Sequence, residues 1–147
     1  MSEIVNFNKE FVERTKDVLE RNYGNEEYEV TLLLNCLLGL VSFPIELLKD
    51  KSNKEAKEFQ TDCVRKLEEL IDKNEDYKNP NKYFTFRNIR NSIAHIGIEP
   101  LPYKNKIGKI IFISKDKLTI TLKFCISVDN LYVFAKYVAE EYLKRFF

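Results

Sequence analysis

Glycine and proline are scarce, four of each in 147 residues, which excludes a linker-rich or low-complexity chain. Cysteine is rarer still. Cys36, Cys63 and Cys125 lie far apart, without the paired spacing of a zinc site. An odd number of cysteines and no secretory leader pattern lead to the expectation of reduced thiols in a cytoplasmic protein. Cys63 stands at helical spacing from Ala56, Phe59 and Leu67 and reads as a core position. Charge of one sign is also lacking: 24 Lys and Arg against 23 Asp and Glu leave a formal +1. The overall balance demands no polyanionic partner, so any nucleic-acid contact requires basic groups gathered locally. Histidine occurs once, at His95.

What is present suits a folded, helix-rich unit, with 44% hydrophobic and 32% charged residues. A chain of this length fits one domain, residues 1–147, and buries roughly two thirds of its unfolded surface. The most apolar run, Val30 to Phe43, falls short of the ~20 residues that cross a bilayer. It also begins too far into the chain for a signal peptide. A buried central helix, with no membrane partner, is expected.

Hydrophobic spacing organises the rest. Phe11, Thr15, Val18 and Leu19 predict a first helix over about Asn8 to Tyr23, stopped by Gly24. The second is predicted from Glu26 to Lys49, apolar nearly all round and kinked at Pro44. A third, Asn53 to Lys73, carries Ala56, Phe59, Cys63, Leu67, Leu70 and Ile71 on one side. The polar stretch Asn74 to Lys82, with Pro80, reads as a loop. A fourth helix spans about Phe84 to Ile96, ended by Gly97 and Pro100. Ile110–Ile113 and Leu118–Phe124 then form a hairpin signal joined by Ser114–Lys117. Ser127 caps a last helix whose apolar face holds Leu131, Phe134, Ala135, Val138 and Tyr142. The expected fold class is mainly α: a bundle of about five helices with an inserted β-hairpin.

Chemistry concentrates in the fourth helix. At about 100° per residue, Phe86, Ile89, Ile93 and Ile96 share one side, and Arg87, Asn88, Asn91 and His95 the other. Histidine moves protons near neutral pH, and arginine holds a phosphate and stabilises charge that develops on it. Asparagine orients either group by hydrogen bonding. No acidic cluster or cysteine pair suited to a metal accompanies them, so the residues fit RNA cleavage by the RNA's own 2′-hydroxyl better than metal-assisted hydrolysis, and no cofactor is expected. Such cleavage works best with a proton acceptor and a proton donor, yet each chain has one histidine. Arg90 and His95 also point about 140° apart around the helix. Two copies meeting across a two-fold axis would supply two of each to one cleft. The competing reading is structural: the histidine suits a helix C-terminus, and Arg87 or Arg90 pairs with bundle carboxylates. Burial of the His95 face would favour it. Beyond the helix, Lys104, Lys106 and Lys109 could guide RNA phosphates, and Tyr77, Tyr83 and Tyr103 could stack on bases.

Arg90-Asn91-Ser92-Ile93-Ala94-His95 resembles the Arg-polar-x-x-x-His motif of the HEPN superfamily, placed at the end of a late bundle helix as in that superfamily. The stretch Tyr28 to Leu40, the hairpin and the closing helix are similar to one bacterial branch of it, so the resemblance covers nearly the whole chain. It implies a HEPN-like bundle acting as a homodimeric, metal-independent endoribonuclease, in the setting of toxin–antitoxin, anti-phage or RNA-processing systems. The partners it implies are RNA, a second copy, and an antitoxin or nucleotidyltransferase. By position, His95 matches the catalytic histidine, Arg90 the catalytic arginine and Asn91 the polar residue after it. Arg87, Asn88, Lys104 and Lys106 are assigned to substrate binding only from their places along the chain. Some relatives bind nucleotides or proteins without cleaving RNA, which leaves a catalytically silent binding module as the alternative.

Overall fold

The computed structural model describes residues 2–23, 29–73, 77–79, 85–95 and 97–147, with the backbone alone for 2–6 and 29. Gly24, Glu26, Tyr28, Pro80, Tyr83, Phe84 and Ile96, to which roles are attached above, lie outside the described residues. The chain runs α1 (Ser2–Asn22), α2 (Glu29–Leu48), α3 (Lys54–Leu70), α4 (Phe86–Ala94), β1 (Ile98–Tyr103), β2 (Lys106–Asp116), β3 (Thr119–Ser127) and α5 (Val128–Phe146). The fold is mainly α, as expected, with an antiparallel sheet inserted before the last helix.

Capping residues set two helix starts where expected. The Asn53 side chain accepts from the Ala56 amide at the head of α3, and Ser127 accepts from Asn130 at the head of α5. The predicted faces of both are buried, including Ala56, Phe59, Cys63 and Leu67 on α3 and all five named positions on α5. Burial pushes the Cys63 thiol far up, so it stays protonated and unreactive. On α1 Leu19 is buried as expected, but Val12 is its buried companion, with Thr15 and Val18 only half-buried. Phe11 lies at the edge, its ring packing edge-on against Phe43 at 5.1 Å and close to Gly39.

The second helix is longer than its apolar run. It continues through Pro44 to Leu48, and the stretch Val30–Leu48 is long and apolar enough to cross a membrane by length and composition. Here Leu33, Leu37, Leu40, Val41 and Ile45 are buried, and the helix packs against α1, α3, α4 and α5.

The sheet holds three strands rather than two, in the order β1-β2-β3. Phe112 and Phe124 pair across β2 and β3 with rings stacked at 4.8 Å. The turn is Lys117-Leu118, later than expected, because β2 carries a register shift between Ser114 and Lys115 and runs on to Asp116. Leu118, the first residue of the expected second strand, is almost fully exposed at that turn. β1 contains Pro100 and Pro102, residues tolerated in an edge strand. The opposite edge, along β3, is partly covered by the α3–α4 connection: the Asp72 amide donates to Cys125, and Lys78 and Lys123 exchange backbone hydrogen bonds.

Candidate active site around His95

The site helix is held at both ends. Thr85 caps α4 by accepting from the Asn88 amide, and the Phe86 amide donates to the Gln60 side chain of α3 at 3.1 Å. Phe86, Ile89 and Ser92 form the buried stripe, with Ile93 half-buried. Ser92 is tolerated inside because its hydroxyl donates to the Asn88 carbonyl at 2.9 Å.

Asn88 is not free for substrate in this structure. Its Oδ1 accepts from the Thr85 hydroxyl at 2.5 Å, and its Nδ2 donates to the Ser114 and Thr121 hydroxyls at 3.3 and 3.4 Å. Thr121 in turn donates to Ser114. The network pins α4 to β2 and β3 beside the register shift. Helical spacing put Asn88 with Asn91 and His95, but it could not show that polar side chains of the sheet lie opposite.

At its other end α4 closes on Gly97. The Gly97 amide donates to the Ser92 carbonyl at 2.6 Å, and the Gly97 carbonyl accepts from Ile113 at 2.7 Å. A Cβ at Gly97 would collide with the Ile113 carbonyl oxygen, so only glycine permits this approach of chain to strand. The contact sets His95, the C-cap of α4, above the end of β2.

There the structure places a cavity of about 490 Å³, lined by Asn91, His95, Gly97, Glu99, Lys115 and Lys117, with Ile98 and Ile113 as its apolar wall. His95 is exposed, which does not favour the packing role. Asn91 and His95 thus meet in one cavity. Arg90 lies outside its lining and donates to Asn91 Oδ1 at 3.3 Å. Arg87 is exposed and is not among the lining residues either. Lys104 and Lys106 sit at the far end of the sheet. Six residues of strand, roughly 20 Å at ~3.3 Å each, separate Lys104 from Ile98 at the cavity. Lys109 is paired with Asp72 at 2.6 Å, which raises the lysine's pKa. Tyr77 packs against the core, and Tyr103 is exposed beneath Lys104.

The cavity's own charges, Glu99, Lys115 and Lys117, are absent from the candidates read from the sequence. Their signal is regional. Residues 77–127 hold ten basic and two acidic side chains, a formal +8, while the remainder holds fourteen basic and twenty-one acidic, −7. A near-neutral total conceals that division. Among the described residues no group of three or more His, Cys, Asp or Glu could hold a metal ion.

A family model described as HEPN pEK499 p136 matches residues 1–146 of the chain. No curated protein and no solved structure matches it.

Proposed function

The chain belongs to the HEPN pEK499 p136 family, and from that membership and the cavity at its lone histidine we propose that it is a metal-independent endoribonuclease. The observation that carries the reading is the exposure of His95 beside Asn91 in a cavity large enough for a small ligand. In the proposed reaction the ribose 2′-oxygen attacks the neighbouring phosphorus, the bond to the 5′-oxygen breaks, and a 2′,3′-cyclic phosphate remains. His95 moves a proton, Arg90 stabilises the charge gathering on phosphate oxygens, and Asn91 orients the phosphate.

One imidazole cannot both accept the 2′-hydroxyl proton and donate to the leaving oxygen in the same instant. The reading therefore includes a homodimer with both α4 helices near the two-fold axis. Arg90, which lies outside its own chain's cavity, would then serve the composite site. A toxin or anti-phage effector acting on cytoplasmic RNA is the proposed biological setting.

The alternative is a HEPN module that binds a nucleotide or partner protein without cleaving. Its supporting observation is that same separation of Arg90 from the cavity. Incubation of end-labelled RNA with excess EDTA decides between them. Cyclic-phosphate ends from the native protein, and a loss of 10²–10³-fold or more in His95→Ala and Arg90→Ala, are expected. Asn91→Ala should lose less, since the helix still orients the site. A folded His95→Ala variant that cleaves normally sinks the assignment, as does strict dependence on magnesium. Light scattering that finds a monomer with and without RNA removes the composite site.

A further inference from the structure

The cavity at His95 has a second wall that the proposed chemistry does not use. Lys115 and Lys117 line it from the end of β2 and the β2–β3 turn, and neither forms an ion pair among the described residues. Asp116, between them in sequence, is not part of the lining. Lys117 adopts φ 56°, a left-handed conformation that favours glycine or asparagine. In a two-residue hairpin turn a lysine at that position is locally unfavourable, yet it sets this side chain at the cavity.

Phosphate groups are the ligand these features fit. Two lysine ammonium groups, without an ion-pair partner among the described residues, line the same partly apolar cavity as the His95 imidazole, in the basic segment of the chain. Glu99, the one carboxylate among the described lining residues, opposes an anion and limits how tightly it is held. We infer that Lys115 and Lys117 hold a backbone phosphate of a single RNA strand that crosses the cavity at His95. The β2–β3 turn, not the Lys104–Lys106 turn at the far end of the sheet, is then the strand-guiding element. The nature of the strand rests on the ribonuclease reading, but the site is tested without cleavage.

The test uses a short 2′-O-methyl oligoribonucleotide, which lacks the attacking hydroxyl, with binding followed by fluorescence anisotropy over a series of KCl concentrations. Each phosphate contact on a single strand contributes a slope of about −0.7 in the log–log salt plot, so Lys115→Ala/Lys117→Ala, which releases the one phosphate the pair holds, should flatten the native slope by about 0.7. Glu99→Gln should tighten binding. Lys117→Gly should weaken it without lowering the melting temperature, because glycine relieves the left-handed backbone. Lys51→Ala/Lys57→Ala, which removes two exposed lysines of the acidic remainder, should leave the slope unchanged.

A double variant with the native slope overturns the inference, as does a native protein that does not bind the probe. Displacement of the strand by adenosine triphosphate at concentrations well below those of added salt would assign the cavity to a mononucleotide, and overturns it too. Lysine-dependent probe binding in a protein that never cleaves RNA would sink the ribonuclease reading and leave this site standing.

Discussion

The first and last helices and the α4–sheet region treat their cations differently. On α1 and α5, Lys9, Arg14, Lys16, Lys136 and Arg145 each lie within ion-pair distance of a carboxylate, while Arg21 and Lys144 have none among the described residues. On α4 and the sheet, Arg87, Arg90, Lys104, Lys106, Lys115 and Lys117 have no such partner among the described residues, and Lys109 is an exception. Exposed pairs contribute little to stability individually. Their value here is as a contrast: a cation with a carboxylate beside it is partly neutralised, and one without keeps its field for a ligand. Both regions share one hydrophobic core, but among the described residues the α4–sheet region leaves more of its cations without a carboxylate partner.

Substitutions can break that contrast. The largest expected effect on stability comes from the last helix. Phe134→Ala removes a fully buried ring from α5 and should cost about 3–5 kcal/mol by denaturant titration, while the folded fraction still cleaves RNA. Full activity loss at matched folding would show that the two regions are coupled after all. Gly97→Ala comes next and should affect both. The new methyl must displace the end of α4 from Ile113, costing roughly 1–3 kcal/mol. Cleavage should fall at least tenfold because His95 moves with it, and native kinetics would count against the placement of the site. The smallest effect belongs to Arg145→Ala. It loses contacts to Asp62 at 2.6 Å and Glu141 at 3.3 Å near the chain's end, which should cost about 1 kcal/mol or less and leave cleavage intact.

Which parts of the fold could be read from the sequence follows from how local their causes are. The caps at Asn53 and Ser127 act within a single turn, and the faces of α3 and α5 repeat at helical period, so those helices were legible. β1 was not, because Pro100 and Pro102 look like a break unless the strand is known to lie at an edge. The hairpin turn was misplaced because the register shift at Ser114 depends on pairing with β3. In the site, Asn91 and His95 were found together because one helix carries both. The hydrogen bonds of Asn88 to Ser114 and Thr121 are not legible in the helical spacing, since these partners are more than twenty residues away in sequence. Lys115 and Lys117 were missed for the same reason: they reach His95 only through the Gly97–Ile113 contact.

The prolines of β1 have a consequence for self-association. Pro100 and Pro102 pair with Ile110 and Ile107 of β2, so β1 stands at the margin of the sheet with two residues that have no amide hydrogen. A strand arriving from another molecule would find that margin short of donors, and on the far side it would meet the backbone of residues 72 and 78. Both routes to open-ended stacking into fibrils are thereby discouraged. The isoleucine- and phenylalanine-rich strands therefore offer an incoming strand few free backbone donors at either margin.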